Sequence, residues 1–297
     1  MTERKQLKAS ARAILRETRP SAIWVTLMVA GILLIMEALS LSINGDLEAY
    51  RAMYNSLLEG RLEYVAAAGT NSPIGWLLGM ALDLMGMVLA VGYTLYILRL
   101  SRRQGPSFGD VFDAFGLFLR AVWITILRRV LVSLWGFAYV VPATVMGTVM
   151  DPFAAALVCL PLLIPMIMAS YSYRLAVFIA LDERQYTCGQ CMMLSRMAMQ
   201  GRKWELFRLD LSFLGWQLLS IIPVVFLWVE PYMSVTVAEW YDGIMPGFRE
   251  KLEKDLAQRR NESFYRRSAR GNYHVPGEPW HGDDDSSDAS DEDEPRD

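Results

Sequence analysis

Four stretches of 20 or more residues carry at most one charge each: Ala22 to Ile43, Ile74 to Leu98, Val130 to Val149 and Pro152 to Tyr173. A helix needs about 20 predominantly apolar residues to cross the roughly 30 Å hydrocarbon layer of a bilayer. Inside that layer every backbone N–H and C=O must be satisfied within the protein, which leaves helices or a closed barrel. Uncharged runs of this length, without strand alternation, predict an all-α, polytopic membrane helix bundle. Its localisation is expected to be the cell membrane, crossed several times.

A fifth apolar block is less simple. Leu211 to Val229 is uncharged, Glu230 and Pro231 follow, and apolar residues resume to Ala238. The block fits one long span, or two short ones folded back near Pro223. Charge distribution helps to choose, because Lys and Arg collect on the cytoplasmic side of short loops. The N-terminus, the Arg99/Arg102/Arg103 connection and the 184–208 connection are basic, whereas the 44–72 loop holds four acids against two arginines. The segment from Arg249 to Arg270 is basic again. These alternate correctly if both termini are cytoplasmic, which requires an even number of spans. Six spans are therefore expected, with five as the alternative.

The remaining organisation follows composition. Residues 1–20 carry six basic side chains, with Leu7, Ala11, Ile14 and Leu15 at helical spacing, and predict an interfacial amphipathic helix. Residues 21–245 form the six-span domain. Residues 246–260, with Phe248, Leu252 and Leu256 on one stripe, predict a cytoplasmic amphipathic helix. Residues 261–297 read as a disordered polar tail. The formal charge of −3 hides this division: nine acids and one Arg lie in 283–297, and the rest of the chain is at +5.

Several chemistries lack their parts. The only histidines, His274 and His281, lie in the tail, so His-dependent triads and HExxH zinc sites are excluded from the membrane body. Cys188-Gly-Gln-Cys191 has the spacing of half a zinc site, but no second pair accompanies it. No phosphate-binding glycine loop and no GxSxG elbow occurs. The chain is expected not to be an enzyme, to need no cofactor or metal, and to have no nucleic-acid partner.

An ionisable residue inside a span is costly and is a functional candidate by default. Asp83 sits inside the second span, either hydrogen-bonded to a neighbouring helix or facing a cavity. Glu37 and Arg174 lie nearer span ends and reach the interface. Asp210 stands at the mouth of the fifth block, paired with Arg208 or Lys203 in its ordinary reading. Glu230 precedes Pro231 and is expected to cap a helix starting there. Arg120, Arg128 and Arg129 flank the third span and can extend toward lipid phosphates. Pro142, Pro161, Pro165 and Pro223 are expected to kink or end helices.

The most distinctive run is Ser195-Arg196-Met197-Ala198-Met199-Gln200-Gly201-Arg202-Lys203-Trp204, then Phe207, Leu209-Asp210-Leu211-Ser212-Phe213 and Gly215-Trp216. Basic residues with Trp before an apolar block have interfacial chemistry. With Pro231-Tyr232, Trp240-Tyr241 and the N-terminal Leu7-Lys8, Ala11-Arg12 and Leu15, this pattern resembles the bacterial membrane-protein family called domain of unknown function 975. Ala198, Gln200 and Trp240 depart mildly from it. The resemblance covers about residues 5 to 245 and implies six spans, but no activity.

Two functions remain open at this level. One is binding or moving a small molecule or lipid within the bundle, suggested by Asp83, Asp210 and the proline-kinked spans. The other is an accessory role, docking anionic lipid headgroups or an unidentified protein partner through the basic cytoplasmic face. Candidate residues for either are Asp83, Ser195, Arg196, Gly201, Lys203, Trp204, Asp210, Trp216, Glu230, Pro231 and Tyr232.

Overall fold

The computed structural model describes residues 2–18, 22–44, 51, 54–55 and 73–268. Among these residues the regular secondary structure is all helical, joined by turns and without a strand. The expected 44–72 loop, apart from residues 51 and 54–55, and the acidic tail lie outside the described residues. Helix α1 spans Thr2–Glu17, α2 Ala22–Asn44 and α3 Pro73–Ser101. A 3-10 helix, Phe108–Leu117, leads into α4, Phe118–Gly147. Four helical stretches are long and apolar enough to cross a membrane: Ala22–Ile43, Pro73–Ser101, Phe108–Gly147 and Leu157–Asp182. Their positions follow the four uncharged stretches of the sequence.

The fourth stretch is segmented. It comprises α5 (Pro152–Cys159), a 3-10 turn at Leu160–Leu162, α6 (Leu163–Ser172) and α7 (Ala176–Asp182). Asp151 starts it, accepting a hydrogen bond from the Ala154 N–H at 3.0 Å, with Pro152 where no N–H is needed. Pro161 falls in the 3-10 turn and Pro165 in the first turn of α6, so two of the prolines mark breaks as expected. Pro142 is instead accommodated inside α4.

Ion pairs tie the bundle together at one end. Arg102 reaches Asp182 at 2.7 Å and Asp242 at 2.6 Å, joining three segments far apart in sequence. Those two carboxylates, Asp182 first, hold the Arg102 guanidinium above its ordinary pKa. Arg99 holds Asp110 and Asp113 at 2.5 and 2.6 Å, fastening the 3-10 helix to α3. The approach is close: a Cβ on Gly92 would lie 1.8 Å from the Val111 carbonyl oxygen. Arg120, expected to extend toward lipid, instead donates to the backbone carbonyls of Ala180, Glu183 and Arg184 at 3.0 to 3.1 Å. Unpaired carbonyls at the end of α7 are a stronger attraction for it than a solvated phosphate.

After α7 come α8 (Cys188–Ala198), α9 (Lys203–Leu211) and α10 (Leu214–Leu219), and then α11 (Pro223–Ser268). Thr187 and Gln190 form a reciprocal capping box at the start of α8. Cys188 and Cys191 are free thiols beside Arg120. Burial pushes the Cys191 thiol up, and Arg120 opposes it.

The fifth apolar block folds back on itself. Arg202 donates to the Ile244 carbonyl at 3.4 Å, and the rings of Phe213 and Tyr232 meet edge-on at 5.2 Å. Both pairs centre on residues 222–223, where helical order breaks and Pro223 opens α11. The six spans expected from sequence thus resolve into four long helices and the two arms of one hairpin. The uncharged part, Leu211 to Val229, is shared between the arms at about ten residues each. At about 1.5 Å per residue that uncharged part gives about 15 Å per arm, and apolar residues continue along α11 to Ala238. Glu230 is not a helix cap: α11 begins at Pro223 and already contains both Glu230 and Pro231.

Helix α1 buries Ala11 and Ile14. Its cations are not all turned away from the protein. Lys8 donates to the Ser212 carbonyl at 3.1 Å with its ammonium 3.9 Å from the Phe213 ring, and Arg12 reaches the Tyr232 hydroxyl at 3.1 Å.

The chain divides into two compact units, Met1–Met245 and Pro246–Asp297. In the second, helix continues to Ser268 rather than ending at 260. Spaced pairs such as Glu250 with Lys254, at 2.6 Å, support it.

Candidate functional site

The first unit holds a partly open cavity of about 670 Å³. Its walls come from α2, α3, α4, the fourth stretch and α11, and Glu37, Asp83 and Arg129 are exposed at it. Much of the wall is apolar, including Leu33, Leu82, Met87 and Val177. Six charged side chains also line it: Glu37, Asp83 and Glu230, and Arg128, Arg129 and Arg174.

Sequence and helix geometry set the heights of these groups. Arg128 and Arg129 directly precede the uncharged stretch that begins at Val130, and Arg174 directly follows the one that ends at Tyr173. Glu230 directly follows the uncharged tip of the hairpin. These four therefore border uncharged stretches, and Glu230 stands about 18 Å along α11 from Asp242 at about 1.5 Å per residue. Asp83 is further along: from Arg102 it is about 28 Å up α3 at about 1.5 Å per residue. The packing of Gly86 against Leu33 brings Glu37 to nearly the same level. Two carboxylates thus lie well inside the belt and face space rather than a partner. Asp83 is exposed, lines this cavity and has no hydrogen bond to a neighbouring helix among the described residues.

Arg174 is compensated. It forms an ion pair with Asp210, whose same oxygen accepts from the Tyr171 hydroxyl at 2.8 Å. The sequence suggested Arg208 or Lys203 as the partner of Asp210. Those side chains precede it on α9, whereas the fold brings α6 alongside. The other Asp210 oxygen, Oδ1, is buried and has no partner among the described residues. Glu230 accepts from the Ser234 hydroxyl at 3.0 Å. Arg128 has Arg129 and Arg174 as its charged neighbours. Neither Arg128 nor Arg129 has an ion pair among the described residues.

The other candidates do not converge on this cavity. Ser195 is fully buried and donates to the Ser172 carbonyl at 2.8 Å, a helix-to-helix contact. Gly201 has a φ of +76° at the turn into α9, a conformation that favours glycine. Arg196 is exposed and Lys203 half-buried. Trp204 is 61% exposed, stacked on Phe207 at 5.1 Å, with the Arg208 guanidinium 5.8 Å from its ring. Trp216 is 52% exposed on the hairpin. Pro231 is buried in α11, and Tyr232 is held by Arg12 and Phe213. The basic run is thus an outer surface and a hairpin contact. Arg128, Arg129 and Glu37 gained importance from the fold; their signal in the sequence was charge inside or bordering an uncharged stretch. Among the described residues no group of three metal-ligating side chains occurs.

One family model, described as Protein of unknown function (DUF975), matches residues 1–246. No curated protein and no solved structure matches the chain.

Proposed function

The chain belongs to the DUF975 family, and from that premise we propose that it is a non-enzymatic membrane protein binding an amphiphilic small molecule or lipid within its helix bundle. The family description names no activity, so the reading rests on one observation: an intrabundle cavity lined by charges of both signs. Ionisable groups inside an apolar belt are costly, and groups left without partners are held for an occupant or a pathway. The apolar wall between them suits the hydrocarbon part of such a ligand. In this reading the four long helices cross the cell membrane, both termini are cytoplasmic, and the 203–244 hairpin enters from the cytoplasmic side and returns. Four crossings keep the even parity that the loop charges require.

Thermal unfolding of the full chain in neutral detergent, titrated with mixed phospholipid, tests this. A saturable rise in midpoint is expected for the wild type. Ala90→Trp, which puts an indole into the cavity, should abolish it, and Asp83→Asn should weaken it. A normal response in Ala90→Trp would remove the cavity from the function.

The second reading, an accessory protein docking anionic headgroups, is favoured by the exposed Trp204 with Arg208 against it and Arg196 nearby in sequence. That pairing is an interfacial anchor, and it positions the protein in the bilayer under either reading.

A further inference from the structure

Resting on the reading of the cavity as a binding site, we infer that its occupant carries a zwitterionic phosphodiester headgroup. The phosphoryl group lies on Arg128 and Arg129, and the ammonium faces Glu230.

Of the cavity's charges, those of Arg128, Arg129 and Glu230 select this headgroup; Glu37 and Asp83 also line the cavity and lie farther along it. Of the three cavity arginines, Arg174 is already neutralised by Asp210. Arg128 and Arg129 pair with no acid among the described residues, and the cations of Arg129 and Arg174 act on Arg128. Adjacent like charges beside apolar walls repel more strongly than in water, and an anion between them removes that cost. Guanidiniums present forked donors that match phosphate oxygens bidentately. Their height fits the same ligand. Arg128, Arg129 and Arg174 stand where the uncharged stretches start and stop, the level at which hydrocarbon gives way to lipid headgroups.

Glu230 decides the second charge. It lines the same cavity, accepts from Ser234, and pairs with no cation among the described residues. A purely anionic headgroup satisfies the arginines but is opposed by Glu230. A neutral one leaves both signs unbalanced. A headgroup with a phosphoryl and an ammonium satisfies both. The apolar wall through Met87 and Leu33 then accommodates chain.

The source of the headgroup, an intact lipid or a soluble phosphodiester, is separated by experiment. The full chain in neutral detergent is titrated with phosphatidylethanolamine, phosphatidylglycerol and diacylglycerol of identical chains, and with glycerophosphoethanolamine, while its thermal midpoint is followed. The midpoint concentration for phosphatidylethanolamine should be about tenfold lower than for phosphatidylglycerol, a single charge contact at about 1.4 kcal/mol per tenfold. Diacylglycerol should be weaker still. A response to glycerophosphoethanolamine equal to that of the lipid would assign a soluble source; a much weaker one assigns the lipid. Glu230→Gln, which keeps the Ser234 bond, should erase the preference for phosphatidylethanolamine over phosphatidylglycerol. Arg128→Gln with Arg129→Gln should erase the preference for phospholipid over diacylglycerol. If that pair unfolds, Arg128→Lys with Arg129→Lys keeps the charge, loses the forked geometry, and should weaken both phospholipids. Equal stabilisation by all three lipids overturns headgroup recognition and leaves the cavity reading standing. Phosphatidylglycerol matching phosphatidylethanolamine overturns the zwitterion. No stabilisation by any of the four overturns the binding reading itself.

Discussion

Gly92 shows how much one missing methyl decides. Its α-carbon faces the backbone of the 3-10 helix so closely that a Cβ would lie 1.8 Å from the Val111 oxygen and 3.3 Å from Ala114. The obstructing atom is backbone, held by the Arg99 pairs with Asp110 and Asp113, so no side-chain rotation relieves the clash. Gly92→Ala should therefore cost about 1–3 kcal/mol or more, the range for overpacking a filled core. Gly31→Ala is the control, because nothing lies within 4 Å of its added Cβ. Thermal unfolding in detergent should show a large fall for the first and little change for the second. Equal midpoints would mean that the 3-10 helix does not press on α3. Nothing in the sequence distinguishes these two glycines, since both stand in apolar helical stretches and differ only in what packs over them. Asp83 is the opposite case: a lone carboxylate in an apolar stretch stands out in the sequence itself. Its partner-free placement facing a cavity does not, because that depends on the packing of α2 and α11 beside it.

At the scale of elements, uninterrupted apolar length was the legible quantity. Each of the four long helical stretches overlaps one uncharged stretch, because membrane spanning depends first on apolar length. The fifth block was ambiguous for a physical reason. Proline at an interior position kinks a helix, whereas proline at a first position starts one, and Pro223 offers no local sign of which applies. Long-range pairs resolved it, namely Arg202 with Ile244 and Phe213 with Tyr232. Contacts such as Arg102 with Asp242 are equally invisible from spacing, being set by which helices become neighbours. A shallow hairpin makes a prediction that two complete crossings do not. In a background without native cysteines, Thr148→Cys at the far turn of α4 should react with a membrane-impermeant maleimide added outside intact cells. Ser220→Cys at the hairpin tip should not, because about 15 Å of uncharged arm leaves it within the hydrocarbon layer. Labelling of Ser220→Cys as fast as Thr148→Cys would establish two full spans.

At the scale of the whole molecule, two independent boundaries fall at nearly the same place. The compact first unit ends at Met245, and the family match ends at residue 246. All the lining residues of the cavity, and the ion pairs of Arg102, lie before that point. The charge division runs the same way, since the acidic run of 283–297 is what turns a basic chain into one of net −3. A unit with its own buried core, its own ion pairs and its own site has the features of an independently folding body. A chain ending after residue 246 should therefore remain monodisperse in detergent and keep its thermal midpoint within a few degrees. It should also keep the saturable response to phosphatidylethanolamine, because no group assigned to that site is removed. Loss of the response with the midpoint unchanged would place part of the ligand contact beyond residue 246. Aggregation of the shortened chain would show that α11 needs its full length to hold Tyr241 and Asp242 against Asp182 and Arg102.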